Sequence, residues 1–316
     1  MLKIGFPIPT KENEHRLAML PQDVQGTAVA SELVFESGYG KVMDLDDGAY
    51  RGAGSVVANR ETVCACPIVC NPKPIPSDEY FREGTILFGW IHAVQGREIT
   101  DTLVKNHMTA IAWEDMYDRG RYCFERNREI TGEAAITHAF LLWGRVAYEC
   151  KVAVIGRGMT ARGALRALER WGCNVVVYDR KTSPYLRQEL EQYDVIVNCV
   201  LWDVFRDDHI IYEEDLEKMK PGSMIIDISC DPHMAIESSR PTTIEDPIYS
   251  HKGVLHYAVD HTPSLFHKTI SAAISKSIVR FVHDLATGTY NPILDKATII
   301  RNGEVLDERI IRFQHR

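Results

Sequence analysis

KVAVIGRGMTARGALRALERWGCNVVVYDRK, residues Lys151–Lys181, is the stretch whose reading decides the fold. Val152, Val154 and Ile155 make a short apolar run, and Gly156-Arg157-Gly158 turns the chain sharply. Ala161, Ala164, Leu165 and Leu168 then recur at helical spacing, and Val175–Tyr178 is a second apolar run that stops at the acidic Asp179. The order is strand, glycine turn, helix, strand, acid. The turn fits G-x-G-x-x-A, with Met159 and Thr160 as the variable pair and Ala161 in the third small position. Gly156 permits the turn, Gly158 lets backbone approach a pyrophosphate, and Ala161 keeps the helix close to the strand. The helix N-terminus offers free N–H groups and the positive end of its dipole to phosphate. A carboxylate 21 residues beyond Gly158, at Asp179, completes the pattern of a nicotinamide dinucleotide site.

Working outward, 316 residues suit two domains of ordinary size. The 45% hydrophobic and 25% charged content is that of a soluble globular protein. A formal charge of −8 gives no general attraction to nucleic acid or to an anionic membrane, so neither is expected as a partner. No apolar run approaches the roughly 20 residues that span a bilayer. The N-terminal MLKIGFPIPT reads as a first strand and lacks the apolar core of a signal peptide, which predicts a cytoplasmic protein. Of eight cysteines, Cys64, Cys66 and Cys70 cluster as C-x-C-x3-C without a second pair, and Cys173, Cys199 and Cys230 sit in or beside strands. No metal site is expected from that spacing.

Before the glycine turn the pattern predicts strands at Leu2–Phe6, Lys41–Leu45, Cys66–Val69, Thr85–His92 and Thr109–Trp113, and a short helix at Asp101–Asn106. A long helix over Thr131–Tyr148 carries the chain into the fingerprint strand. After Asp179 come helical Tyr185–Gln192, a strand at Val195–Leu201, helical Glu213–Met219, a strand at Met224–Ser229 and a last strand at Val254–Val259. Strands alternating with helices predict an α/β protein with a Rossmann-type doubly wound parallel sheet, its ligand at the carboxyl ends of the strands where Gly156, Leu201 and Asp231 fall. Ser264–Leu285 reads as a long helix leading to a tail that packs on the first domain. The predicted division is a dinucleotide-binding domain over 131–267 and a second α/β domain over 1–130 completed by 268–316.

Four separated stretches then resemble the alanine dehydrogenase family: KENEHR with Arg16, the proline-flanked loop around Lys73, FREGTILFGWIH with His92, and MIIDISCDPHMAIESSRPTT with Asp231. The resemblance runs in order over nearly the whole chain. It implies that the domain without the glycine turn is a substrate domain of alanine dehydrogenase type, that Arg16 and Lys73 bind the carboxylate of pyruvate, that His92 is a general acid/base, and that Asp231 assists proton and water handling. The chain departs from the family in being shorter and in following Asp231 with Pro232-His233-Met234. HAVQGREITD, AIAWEDM and VDHTPSLFHKT are similar to the carboxyethylornithine synthases, a shorter bacterial branch that joins pyruvate to the side-chain amine of ornithine and reduces the imine with NADPH.

Elementary chemistry accords with those roles. Arg16 offers a planar fork to a carboxylate and Lys73 a point charge. Histidine has the side chain whose reference pKa lies nearest neutrality, suiting His92 to carbinolamine formation and dehydration, although a histidine at a strand end equally suits a satisfied core position. A cationic amine needs anionic company, for which Glu114, Asp115, Asp260 and His261 are candidates at strand ends. Val200 and Leu201, after the third strand of the cofactor domain, are expected to line the dinucleotide. Asp179 suits the ribose hydroxyls of NAD(H), whereas Arg180 and Lys181 suit the 2′-phosphate of NADP(H), which the resemblance favours. The expected protein is a homo-oligomer acting on pyruvate and an amino acid, ornithine or lysine. Amination of pyruvate by ammonia, and cofactor binding without catalysis, are the alternative functions.

Overall fold

Short apolar runs separated by polar loops become strands. In the computed structural model, which describes all 316 residues, β1 (Ile4–Phe6), β2 (Leu33–Glu36), β3 (Val56–Ala58), β4 (Ile68–Cys70), β5 (Ile86–Gly89) and β6 (Thr109–Ala112) make a parallel sheet in the order β3-β2-β1-β4-β5-β6. β1 and β4 are buried at every position, as strands covered on both faces must be. The chain runs outward from β1 to β3 and then returns to the other side of β1 with β4. The topological switch point therefore lies between β1 and β4. A small hairpin, β7 (Tyr117–Asp118) with β8 (Arg121–Tyr122), follows.

The second sheet holds β9 (Lys151–Ile155), β10 (Asn174–Tyr178), β11 (Val195–Asn198), β12 (Met224–Asp227), β13 (Ile248–His251) and β14 (Val254–Tyr257), in the order β10-β9-β11-β12-β14-β13. Its first five strands in that order are parallel, and the switch point lies between β9 and β11. β13 was not expected and runs antiparallel to β14. Lys252 and Gly253, both at positive φ, make the two-residue turn that such hairpins favour. Two apolar clusters cover the sheet, one centred on Val152, Val154, Val197 and Ile226, the other on Ala153, Ile155, Ile196 and Ile225. The alternation along each strand sends successive residues to opposite clusters.

The long helix begins at Glu125 and ends at Trp143, where the expectation was Thr131–Tyr148. Gly144, at φ 74°, ends it by turning left-handed while its N–H still donates to the Phe140 carbonyl. This helix packs on the helix Met159–Arg170 so closely that only glycine fits at the contact. A Cβ on Gly132 would stand 2.0 Å from the Thr160 carbonyl oxygen, and one on Gly163 would stand 1.7 Å from that of Glu129. Lys41–Leu45 is not a strand. It winds into a 3-10 turn because Met43 and Leu45 both donate to the Gly40 carbonyl. Glu213–Lys218 is likewise 3-10, and Tyr185–Gln192 breaks into two short turns.

The helix His267–Thr287 then leads to β15 (Thr298–Arg301) and β16 (Glu304–Val305), and β15 adds antiparallel to β6. Ile299, Ile300 and Ile310 from this segment share one apolar cluster with Val69, Leu87 and Ala110. The chain thus forms two units: Met1–Phe124 with His267–Arg316, and Glu125–Phe266. No helix is long and apolar enough to cross a membrane.

Candidate functional site

In the first unit β1, β4, β5 and β6 lie side by side, each about 4.8 Å from the next. The loops leaving their carboxyl ends therefore share one edge. Arg16 follows β1, Lys73 follows β4, His92 follows β5, and Glu114 and Asp115 follow β6. Arg16 is buried, and Glu14 fixes its plane: Nε donates to Glu14 Oε1 at 2.7 Å and Nη2 to Oε2 at 2.5 Å. The guanidinium lies over the ring of Trp90, 4.9 Å from its centroid. Trp90 is held in turn by its Nε1–H donating to the Tyr122 hydroxyl at 2.9 Å. The loop beyond Arg16 is strapped to the helix His267–Thr287, where Ser271 and Ser275 accept the N–H groups of Leu17 and Leu20, each at 2.9 Å.

Lys73 sits in a loop with its own internal frame. Its N–H donates to Asn71 Oδ1 at 3.0 Å, and Asn71 Nδ2 donates to the Tyr80 hydroxyl at 2.7 Å. Tyr80 donates to the buried Asp78, which also accepts the Ile75 N–H at 2.9 Å and the hydroxyl of Thr10. Asp78 thereby links the loop of Lys73 to the loop of Arg16. Neither Glu14 nor Asp78 was singled out from the sequence. An acid two residues from an arginine, and one just beyond a proline-rich loop, were the available signals.

His92 lies three residues beyond the end of β5 and is exposed, at φ +52°, a left-handed conformation that costs a non-glycine residue about 1–2 kcal/mol. Glu114 holds it there. Its two oxygens accept the N–H of His92 at 2.5 Å and of Ile91 at 3.1 Å. Burial pushes the Glu114 carboxyl up to about 7, against the lowering effect of those bonds. Asp115 is paired elsewhere, with Arg309 Nη2 at 2.6 Å.

In the second unit the neighbouring strands β9, β11, β12 and β14 place Gly156, Val200 with Leu201, Asp231, and Asp260 with His261 on one edge. Gly156 has φ +111°, and a Cβ there would come within 3.3 Å of Val200 Cγ2. Its N–H donates to the Tyr178 carbonyl at 2.8 Å, which ties the turn to β10. Gly158 is extended, and a Cβ on it would meet nothing within 4 Å. Met159 and Thr160 open the helix, with Ala161 fully buried beneath. Asn198 and Asp227, paired in register at the ends of β11 and β12, are both buried and joined by Asn198 Nδ2 donating at 2.8 Å. Asp227 also accepts Ser229 Oγ at 3.0 Å and the Cys230 N–H at 3.4 Å, which anchors the loop to Asp231. Burial raises the Asp227 carboxyl above its ordinary range. His261 is buried with Nδ1 against the Asp260 carboxylate.

Two family models match: alanine dehydrogenase/PNT, N-terminal domain, over residues 5–124, and alanine dehydrogenase/PNT, C-terminal domain, over 180–309. An N(5)-(carboxyethyl)ornithine synthase of Clostridium botulinum is 32% identical over 301 residues, covering 89% of this chain and 94% of the relative. The chain belongs to the alanine dehydrogenase/PNT family. A second N(5)-(carboxyethyl)ornithine synthase, of Lactococcus lactis, is 29% identical and covers 87% of this chain and 93% of its own. An alanine dehydrogenase of Methanococcus maripaludis is 28% identical, covering 98% and 95%. Among solved structures, an L-alanine dehydrogenase at 21% identity superposes with a TM-score of 0.83 and covers 99% of both chains.

Members of the alanine dehydrogenase family are oxidoreductases acting on CH–NH bonds, and so is this chain. The family's cofactor is a nicotinamide dinucleotide, and the edge around Gly156 fits one. The backbone at Gly158 is open to close approach, the helix behind it presents its first N–H groups, and Leu201 stands 78% exposed beside the turn.

Proposed function

We propose that this enzyme condenses pyruvate with the side-chain amine of ornithine, or less readily lysine, and reduces the resulting imine with NADPH. The observation that carries the reading is the similarity to N(5)-(carboxyethyl)ornithine synthases along nearly their full length. Support also comes from Arg16, Lys73 and His92 leaving the carboxyl ends of neighbouring strands. Arg16, its plane set by Glu14 and Trp90, forks onto the pyruvate carboxylate while Lys73 adds a point charge. That leaves the keto carbon oriented for attack by the neutral amine. His92 gives and takes the protons that carbinolamine formation and loss of water require. Asp231 receives the incoming ammonium or orders the released water, and Glu114 serves the chemistry through His92 by fixing its backbone. Asp115, Asp260 and His261 are the remaining candidates for the zwitterionic head of the amino acid. The glycine turn and Leu201 would hold the reduced nicotinamide dinucleotide, which when bound would supply the hydride for the reduction.

Ornithine brings an α-carboxylate and an α-ammonium whose burial without partners would cost several kcal/mol. A site made for ammonia has no reason to provide them, whereas one made for ornithine uses that binding to position the reacting amine. The test follows nicotinamide absorbance with pyruvate and each amine, and weighs the product. Ornithine is expected to give the fastest turnover and a product equal to ornithine plus a carboxyethyl group. Fastest turnover with ammonium, yielding alanine, would establish the second reading, which the alanine dehydrogenase covering 98% of the chain favours. We also propose a homo-oligomer, in which a second copy covers the exposed Leu141, Val146 and Tyr148.

A further inference from the structure

Asp179 directly follows β10, where dinucleotide folds present an acid to the adenosine ribose. Its own turn already occupies it. Oδ1 accepts the N–H of Lys181 at 2.9 Å and of Thr182 at 3.1 Å, and the Thr182 hydroxyl at 3.2 Å. Thr182 Oγ1 accepts the Asp179 N–H at 2.8 Å, which closes the turn on itself. The second oxygen, Oδ2, faces Arg157 Nε at 3.4 Å. Those backbone bonds, with Arg157 as a lesser cause, hold the carboxyl below its ordinary range, so it stays charged and turn-bound.

Arg157 is the middle residue of the Gly-x-Gly turn, and its side chain is 67% exposed. At 3.4 Å and in solvent, its hold on Asp179 is weak, so the guanidinium reorients at little cost. Arg180 and Lys181 are exposed on the same turn, giving three cations to one carboxylate around the strand end. That balance suits a dianion better than a neutral diol. An arginine also fits phosphate bidentately, as a lysine does not.

We propose that Arg157 is the residue that selects a 2′-phosphorylated dinucleotide, leaving Asp179 Oδ2 to fork onto the 2′-phosphate. Asp179 Oδ1, bonded to its own turn, is withheld from the ribose hydroxyls that it would otherwise accept. The inference rests on the glycine turn being the dinucleotide site. It differs from the simpler assignment of the phosphate to Arg180, which lies beyond Asp179 and outside the glycine turn.

Calorimetric titration of the whole protein with NADPH and with NADH tests this without relying on turnover. Arg157 is exposed, so Arg157→Ala should melt as the wild type does. The wild type should bind NADPH more tightly than NADH, with the ratio narrowing as salt is raised. Arg157→Ala should weaken NADPH binding roughly 10-fold to 100-fold, the worth of hydrogen bonds to a charged group, and leave NADH binding unchanged or tighter. Arg157→Lys should fall between, and Arg180→Ala should cost less than Arg157→Ala. Unchanged NADPH affinity in Arg157→Ala, an equal loss for both dinucleotides, or a wild type that prefers NADH would each overturn the assignment. Failure of the wild type to bind either dinucleotide would instead remove the glycine-turn site itself.

Discussion

Glu14 converts Arg16 from a flexible cation into an oriented plane, and that makes the two residues one unit in any test of the site. Arg16→Ala would take the guanidinium from the buried Glu14 carboxylate, a loss of about 3–5 kcal/mol that confounds function with folding. Arg16→Lys keeps the charge and loses the fork. It should raise the KM for pyruvate by roughly 10-fold to 100-fold, two charge-assisted hydrogen bonds being reduced to one, with cofactor affinity unchanged. Steady-state kinetics with wild-type KM would mean that Arg16 does not touch the carboxylate. Lys73→Ala should also raise this KM through loss of its charge, while Asn71, Tyr80 and Asp78 still frame its loop. His92 differs in kind. It is exposed and off the sheet, so His92→Ala should fold normally, lose turnover by roughly 10²–10⁴, and bind the dinucleotide as before. A variant that keeps its turnover would return His92 to a purely structural role.

Among elements, the 3-10 turn Trp113–Asp115 has the clearest mechanical task, because its Glu114 clamps the loop after β5. Burial raises this carboxyl from 4.5 to about 7, so the folded protein holds the proton more tightly than the unfolded chain. Stability from this group is therefore highest below pH 4.5 and falls as pH rises toward 7, by about 3 kcal/mol in all. Glu114→Gln does not titrate, so urea unfolding should show it gaining on the wild type across that window. Parallel pH dependences would contradict the shift. The same clamp shows where sequence reading stops. Glu114 was recognisable as an acid at a strand end, but its partners lie 22 and 23 residues away on the neighbouring strand's loop, and only the sheet brings them together. The glycine turn was legible because its strand, helix and acid are contiguous. Gly132 and Gly163 were not, since each signals only through a backbone that it touches on another helix. Gly163→Ala should accordingly destabilise by about 3 kcal/mol through overpacking, whereas Gly158→Val, projecting into open space, should melt normally and lose dinucleotide binding.

At the scale of the molecule, the unit that holds the glycine turn is one continuous segment and the other is not. The first was readable as a run of strands and helices, apart from the β13–β14 hairpin at its end. The second was harder, because β2 and β3 are only three or four residues long and β15 returns from almost 200 residues away. Asn302 and Gly303 both take positive φ in the turn between β15 and β16. The division has a measurable consequence. Both apolar clusters of the second sheet are built entirely from residues between 135 and 259. A fragment spanning 125–266 should fold cooperatively and bind a dinucleotide. A fragment spanning 1–124 lacks β15 and the helix His267–Thr287, whose Ile270, Ile274, Ile278, Phe281 and Val282 are fully buried. At about 1.5–3 kcal/mol each, those five side chains together rival the whole stability of a domain, about 5–15 kcal/mol. Gln314, whose Nε2 donates to the carbonyls of Ala93 and Val94 beside His92, is lost with them. Circular dichroism should show 1–124 without a cooperative melt, restored when residues 267–316 are joined to it by a flexible linker. A cooperative transition in 1–124 alone would mean that the returning segment is dispensable to the first unit.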